Sequence, residues 1–154
     1  MRRFLVVGAA ILMGWLLMGL LIGSSVAGQA ETTDDAKAVQ GTWTPIKAEL
    51  AGSVWPDAVL KTIVLKMDNG KYEVSVAGKL DKGTYAQNAV SRPKGLTIQG
   101  TDGPNAGKTF PCIYELNGDT LRVCYDLSGV KAPTEFATAK GTQLYLVTYA
   151  RKKD

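Results

Sequence analysis

The chain has no histidine and only two cysteines in 154 residues. The first absence excludes a Ser-His-Asp triad, a Cys-His pair, the His-Glu-x-x-His zinc helix and histidine-ligated haem. The second excludes a four-cysteine zinc or iron–sulfur site. Charge of one sign is also missing in quantity. The 18 Lys+Arg are interspersed with 14 Asp+Glu, and no basic stripe is available to follow a phosphate backbone. No metal, no cofactor and no nucleic-acid partner is therefore expected, and the chain reads as a non-enzyme. The acid pair Asp34-Asp35 reads as a cap or a solvated face, because no spacing brings a second catalytic group to it.

What is present begins with an apolar leader. Met1-Arg2-Arg3 is a short positive region, and Phe4 to Ile22 carries no charge. Gly23-Ser24-Ser25-Val26-Ala27 then places Ser25 and Ala27 where a signal peptidase needs small residues. Residues 1–27 read as a signal-peptide helix cleaved after Ala27, and the protein as exported, either periplasmic or secreted. The alternative is an uncleaved anchor through residues 4–22, long enough to span a bilayer and the only membrane contact expected. A mature chain that starts at Gly28 on N-terminal sequencing is the outcome that goes with cleavage. Loss of Arg2 and Arg3 halves the formal net charge of +4. Residues 28–37 read as a polar linker, with helical turns over Asp34–Val39 capped by Thr33 or Asp34. Residues 152–154 read as a solvated basic tail.

Between them, residues 38–151 alternate apolar and polar side chains with the period of two that marks half-buried strands. The expected strands are Thr42–Leu50, Thr62–Asp68, Lys71–Ala77, Leu80–Gln87, Leu96–Gln99, Lys108–Leu116, Asp119–Leu127 and Thr142–Ala150. Pro56–Lys61 reads as a brief helical turn with Pro at its first position. Asn69-Gly70, Ala77-Gly78 and Asn117-Gly118 are tight hairpin connections. An open sheet of eight such strands would leave its apolar face wet, so the pattern predicts an all-β, antiparallel up-and-down barrel. The first, fifth and seventh connections are long and fall at one end. That end is the predicted mouth, and the opposite end is the closed base.

Alternation then selects the interior. Tyr72, Val74, Tyr114, Val123, Tyr125, Leu144 and Leu146 are expected to face inward as a ligand-binding lining, or to fill the interior completely, since eight strands leave a space that side chains alone can occupy. Trp55 and Phe136 fall in mouth loops. Gly103–Thr109 has the look of a phosphate loop but is one residue short, and the extended Phe110-Pro111-Cys112 follows in place of a helix, so it reads as a hairpin loop. Cys112 and Cys124 lie on adjacent strands. A two-residue turn at Asn117-Gly118 puts Cys112 on the apolar face and Cys124 on the other, leaving two free thiols. A three-residue turn would pair them, at the cost of turning Leu121 and Val123 outward.

Gln40-Gly41-Thr42-Trp43 opens the first strand and resembles the Gly-x-Trp of lipocalins. With Thr101–Lys108, Ile113–Cys124 and Pro133–Phe136, it resembles a lipocalin-like exported domain family abundant in planctomycetes, over about residues 38 to 151. The resemblance implies a lipocalin-like barrel whose base is closed by Trp43, with Arg151 packed across it by cation–π stacking. Asn117-Gly118-Asp119 stands where lipocalins carry Thr-Asp-Tyr, so no particular lipocalin ligand is implied. The expected function is binding of a small hydrophobic or amphipathic molecule inside a monomeric barrel. The alternative is a structural or protein-interaction module of the cell envelope with a filled core.

Overall fold

The computed structural model describes residues 34–154. The signal-peptide helix, its cleavage point, the alternative anchor and linker residues 28–33 lie outside the described residues. β-Branched and aromatic residues at every second position build nine strands. These are β1 Gly41–Leu50, β2 Ser53–Val54, β3 Ile63–Asp68, β4 Lys71–Val76, β5 Lys79–Asn88, β6 Lys94–Asp102, β7 Thr109–Asn117, β8 Thr120–Asp126 and β9 Leu144–Arg151. From β3 to β9 every strand pairs antiparallel with its sequence neighbours. β1 pairs with β3 on one side and with β9 on the other, which closes an eight-stranded antiparallel barrel. The two-residue β2 only folds back onto the end of β1. Among the described residues no helix is long and apolar enough to cross a membrane.

All eight expected strands are present in the expected order. β6 is longer than Leu96–Gln99, because Gly95 and Gly100 continue the pairing with β5. The β7–β8 turn is Gly118-Asp119, one residue later than expected, so Cys112 pairs with Tyr125 and Tyr114 with Val123. It is still a two-residue turn, so the faces are preserved: both cysteines are free and buried, Cys112 inside the barrel and Cys124 outside. Pro45, whose ring removes a ladder donor, sits at a bulge between Pro45 and Lys47 that leaves Ile46 exposed. β6 has its own bulge at Thr101, facing β5 beside Gly83. A Cβ on Gly83 would stand 1.9 Å from the Gln99 carbonyl oxygen and 2.6 Å from the Tyr72 ring, so only glycine lets these strands approach.

The tight turns Asn69-Gly70 and Gly118-Asp119 and the 89–93 connection lie at the base, where the interior is full. Val39, Trp43, Tyr114 and Leu121 are each at most 1% exposed. The Trp43 indole N–H donates to the Val39 carbonyl at 2.9 Å. The Arg151 guanidinium lies 4.2 Å from the centre of the Trp43 ring and donates to the Gln40 and Ala38 carbonyls. Gly41 makes room for it, since a Cβ there would meet Arg151 at 2.7 Å. This is the base that the Gly-x-Trp resemblance implied.

Residues 34–38 are helical, but they are not free linker. Asp35 turns under the barrel and accepts hydrogen bonds from the Tyr114 hydroxyl at 2.7 Å and the Lys94 ammonium at 2.8 Å. The second helical turn is Asp57–Leu60, with Pro56 one place earlier than expected, at the N-cap.

Residues 128–141 do not stay at the mouth. Asp126 starts the segment by accepting hydrogen bonds from the Ser128, Val130 and Lys131 amides. The chain then runs back over the outside of the barrel. Phe136 lies against Arg122 of β8, 4.3 Å from guanidinium to ring centre, and Thr138 donates to Glu49 of β1. Ala137 covers the Cys124 thiol, which is 0% exposed. The segment therefore crosses β8, β9 and β1 and overlies the seam where the barrel closes.

Candidate functional site

Above the packed base the barrel is hollow. A cavity of about 190 Å³ reaches from the middle of the barrel to the mouth. Its deep wall is apolar: Leu65 and Met67 of β3, Leu96 and Ile98 of β6, Phe110 of β7 and Val123 of β8. Its upper wall is aromatic. Trp55, from the β1–β3 connection, stacks on Tyr145 at 5.0 Å between ring centres, and Tyr145 on Tyr125 at 5.6 Å. The Tyr125 and Tyr149 hydroxyls share a hydrogen bond of 3.1 Å. Offset and tilted ring pairs of this kind hold a fixed wall rather than a fluid one.

One polar cluster breaks the apolar lining. Asp81 of β5 is 7% exposed and lines the cavity. Its carboxylate accepts the Tyr72 hydroxyl at 3.0 Å, the Asn105 backbone amide at 2.9 Å and the Asn105 side-chain amide at 3.0 Å. These bonds bring the 103–107 loop, once a candidate phosphate loop, down onto the barrel mouth. The loop closes on itself through the Gly107 amide to the Gly100 carbonyl, and β7 follows it directly. It is a hairpin connection without a phosphate-binding helix.

Of the expected lining residues, Tyr72, Val74, Val123 and Tyr125 face the cavity, and Trp55 is in its wall. Tyr114 faces inward but belongs to the base, where its hydroxyl is spent on Asp35. Leu144 and Leu146 are corrected: they lie on the outer face of β9, opposite Asp126 and Cys124, while Tyr145, Val147 and Tyr149 point in. Directly paired residues share a face, so a β9 matched to inward Val123 must turn Val147 in and Leu146 out. Phe136 is corrected too, since its segment covers the outer face rather than the mouth. Asp81, Asn105, Tyr145 and Tyr149 were missed. The signal for Asp81 was available, because Asp81, Gly83 and Tyr85 alternate on one face of β5.

Burial keeps the tyrosine hydroxyls and cysteine thiols of the barrel protonated near neutral pH. All six tyrosines of the chain have raised pKa values, with burial the largest cause in each. For Tyr72, the hydrogen bond to Asp81 adds to it. Tyr149 is pushed up to about 12. Burial likewise pushes up the Cys112 and Cys124 thiols.

No protein-family model, no curated protein and no solved structure matches this chain. The function therefore rests on the barrel itself. An eight-stranded barrel of neighbour-to-neighbour strands is consistent with a lipocalin-like fold.

Proposed function

We propose that this is an exported member of the lipocalin-like domain family it resembles, and that its barrel binds a small, mainly apolar molecule without transforming it. The observation that carries this reading is the cavity. It is lined mainly by aliphatic and aromatic side chains, opens at the mouth and carries one polar cluster, the composition of a small-molecule site. Its size selects among apolar ligands. An apolar cavity of about 150 Å³ accepts benzene, whereas drug-sized ligands need about 300 Å³ or more. A cavity of about 190 Å³ fits a single substituted ring or a short branched chain. Burial of both thiols argues against a nucleophile, and raised tyrosines are poor proton carriers near neutral pH.

The test is titration of the full chain with ethylbenzene, read by tryptophan fluorescence and calorimetry. The expected result is saturable one-to-one binding with a Kd on the order of 1 mM or tighter. Val74→Phe, which fills the cavity from β4, should abolish binding while the fold persists. Absent or unsaturable binding, or unchanged affinity in the filled variant, rejects a binding barrel in favour of a structural one.

A further inference from the structure

We propose that the cavity selects an organic cation, a small ammonium-bearing molecule whose charge docks on Asp81 and whose apolar part lies against the aromatic wall. This rests on the binding reading above and names the class of ligand.

Three observations converge on it. First, Asp81 is the one formally charged side chain in the cavity lining. Its hydrogen bonds come from neutral donors, Tyr72 and Asn105, and no ion pair to it is found among the described residues. A carboxylate offers about four acceptor positions, and three are used, so one is left for a further donor. Second, six aromatic rings share the lining with it. Ring faces present negative potential, and a desolvated cation over them is attracted most strongly where water is excluded. Third, the lining holds no lysine or arginine that could receive an acidic ligand. A ligand carboxylate would meet Asp81 in a low-dielectric space and be repelled. Apolar size alone admits a fatty acid fragment, an arene or an amine; the charge distribution favours the amine. Asp81 also ties the 103–107 loop to β5, so a loss of stability on its replacement would not separate the two roles. Charge selectivity does.

Three probes of matched shape make the experiment: benzylammonium, its neutral isostere ethylbenzene, and phenylacetate. Each is titrated by calorimetry into the full chain and into Asp81→Asn, which keeps the shape and one of the two acceptor oxygens but removes the charge. Benzylammonium is expected to bind more tightly than ethylbenzene, and phenylacetate not to bind. Asp81→Asn should weaken benzylammonium about 10- to 100-fold, the range for a hydrogen bond to a charged group, and ethylbenzene less than about threefold. If Asp81→Asn does not fold, Tyr145→Leu serves, since losing a ring should weaken the cation more than its isostere. Ethylbenzene binding as tightly as benzylammonium, or equal losses for both in the variants, overturns the cation proposal and leaves the binding barrel intact. Saturation by none of the three overturns both.

Discussion

Asp35 shows how much a single side chain does where the barrel is sealed. It accepts hydrogen bonds from the Tyr114 hydroxyl and the Lys94 ammonium at the base, while its neighbour Asp34 is exposed. Asp35→Ala removes the acceptor of a tyrosine that is 1% exposed and strands a half-buried lysine. We expect a loss of about 1–3 kcal/mol in urea unfolding. Asp34→Ala should stay within about 0.5 kcal/mol. Adding Tyr114→Phe to Asp35→Ala should recover part of the loss, because the hydroxyl then no longer needs a partner. Equal effects at 34 and 35 would reject this account. The helical turn around Asp35 was legible from its capping residues. Its docking was not, because a polar segment with one inward carboxylate reads like any solvated linker.

At the scale of elements, strand order and most strand limits followed from period-two alternation and the turn residues between the runs. The reading failed where both faces of a strand are covered. Leu144-Tyr145-Leu146-Val147 is apolar at every position, and alternation cannot choose a face for it. The reason is residues 128–141, which give β8 and β9 a second, outer core around Cys124 and Leu146. Pro, Gly, Ser and Thr mark such a segment as irregular, and nothing in its composition says which surface it lies on. A prediction belongs here. In the native protein a thiol reagent should modify neither cysteine. Phe136→Ala, which removes the ring held against Arg122, should raise Cys124 modification by about tenfold or more, equivalent to ~1.4 kcal/mol off the local opening energy. Cys112, inside the barrel, should keep its slow rate. Peptide mapping by mass spectrometry separates the two sites, and parallel acceleration of both would mean global loosening rather than release of this segment.

For the whole molecule, closure of the barrel was legible and the hollow upper half was not. Whether inward rings meet or leave space depends on strand tilt and stagger, which alternation does not encode. The same buried rings set the pH range of the fold. The unfolded chain ionises its thiols near pH 9.0 and its tyrosines near pH 10.0, while the folded barrel holds both protonated to higher pH. Between those values the unfolded state binds fewer protons than the folded one, so stability falls as pH rises. Each group that titrates only on unfolding contributes ~1.4 kcal/mol per pH unit. Asp126 acts in the opposite sense. Burial would raise its pKa, but hydrogen bonds from Ser128, Lys131 and Val130 outweigh that and lower it below 3.8. Its contribution is present above that value and is lost as pH falls through its folded pKa. Urea midpoints should therefore be flat near neutrality and drop above about pH 9, with tyrosinate absorbance appearing together with unfolding. Tyrosinate appearing near pH 10.0 in a folded barrel would reject the buried placement of the rings.

Because β1 and β9 are neighbours, both ends of the described chain emerge at the base: Asp35 lies under Tyr114, and Arg151 lies across Trp43. Whatever precedes Asp34 is joined to the sealed end of the barrel. If that attachment holds the protein against a surface, the cavity points outward, and a ligand arrives from solution without passing between the barrel and its support.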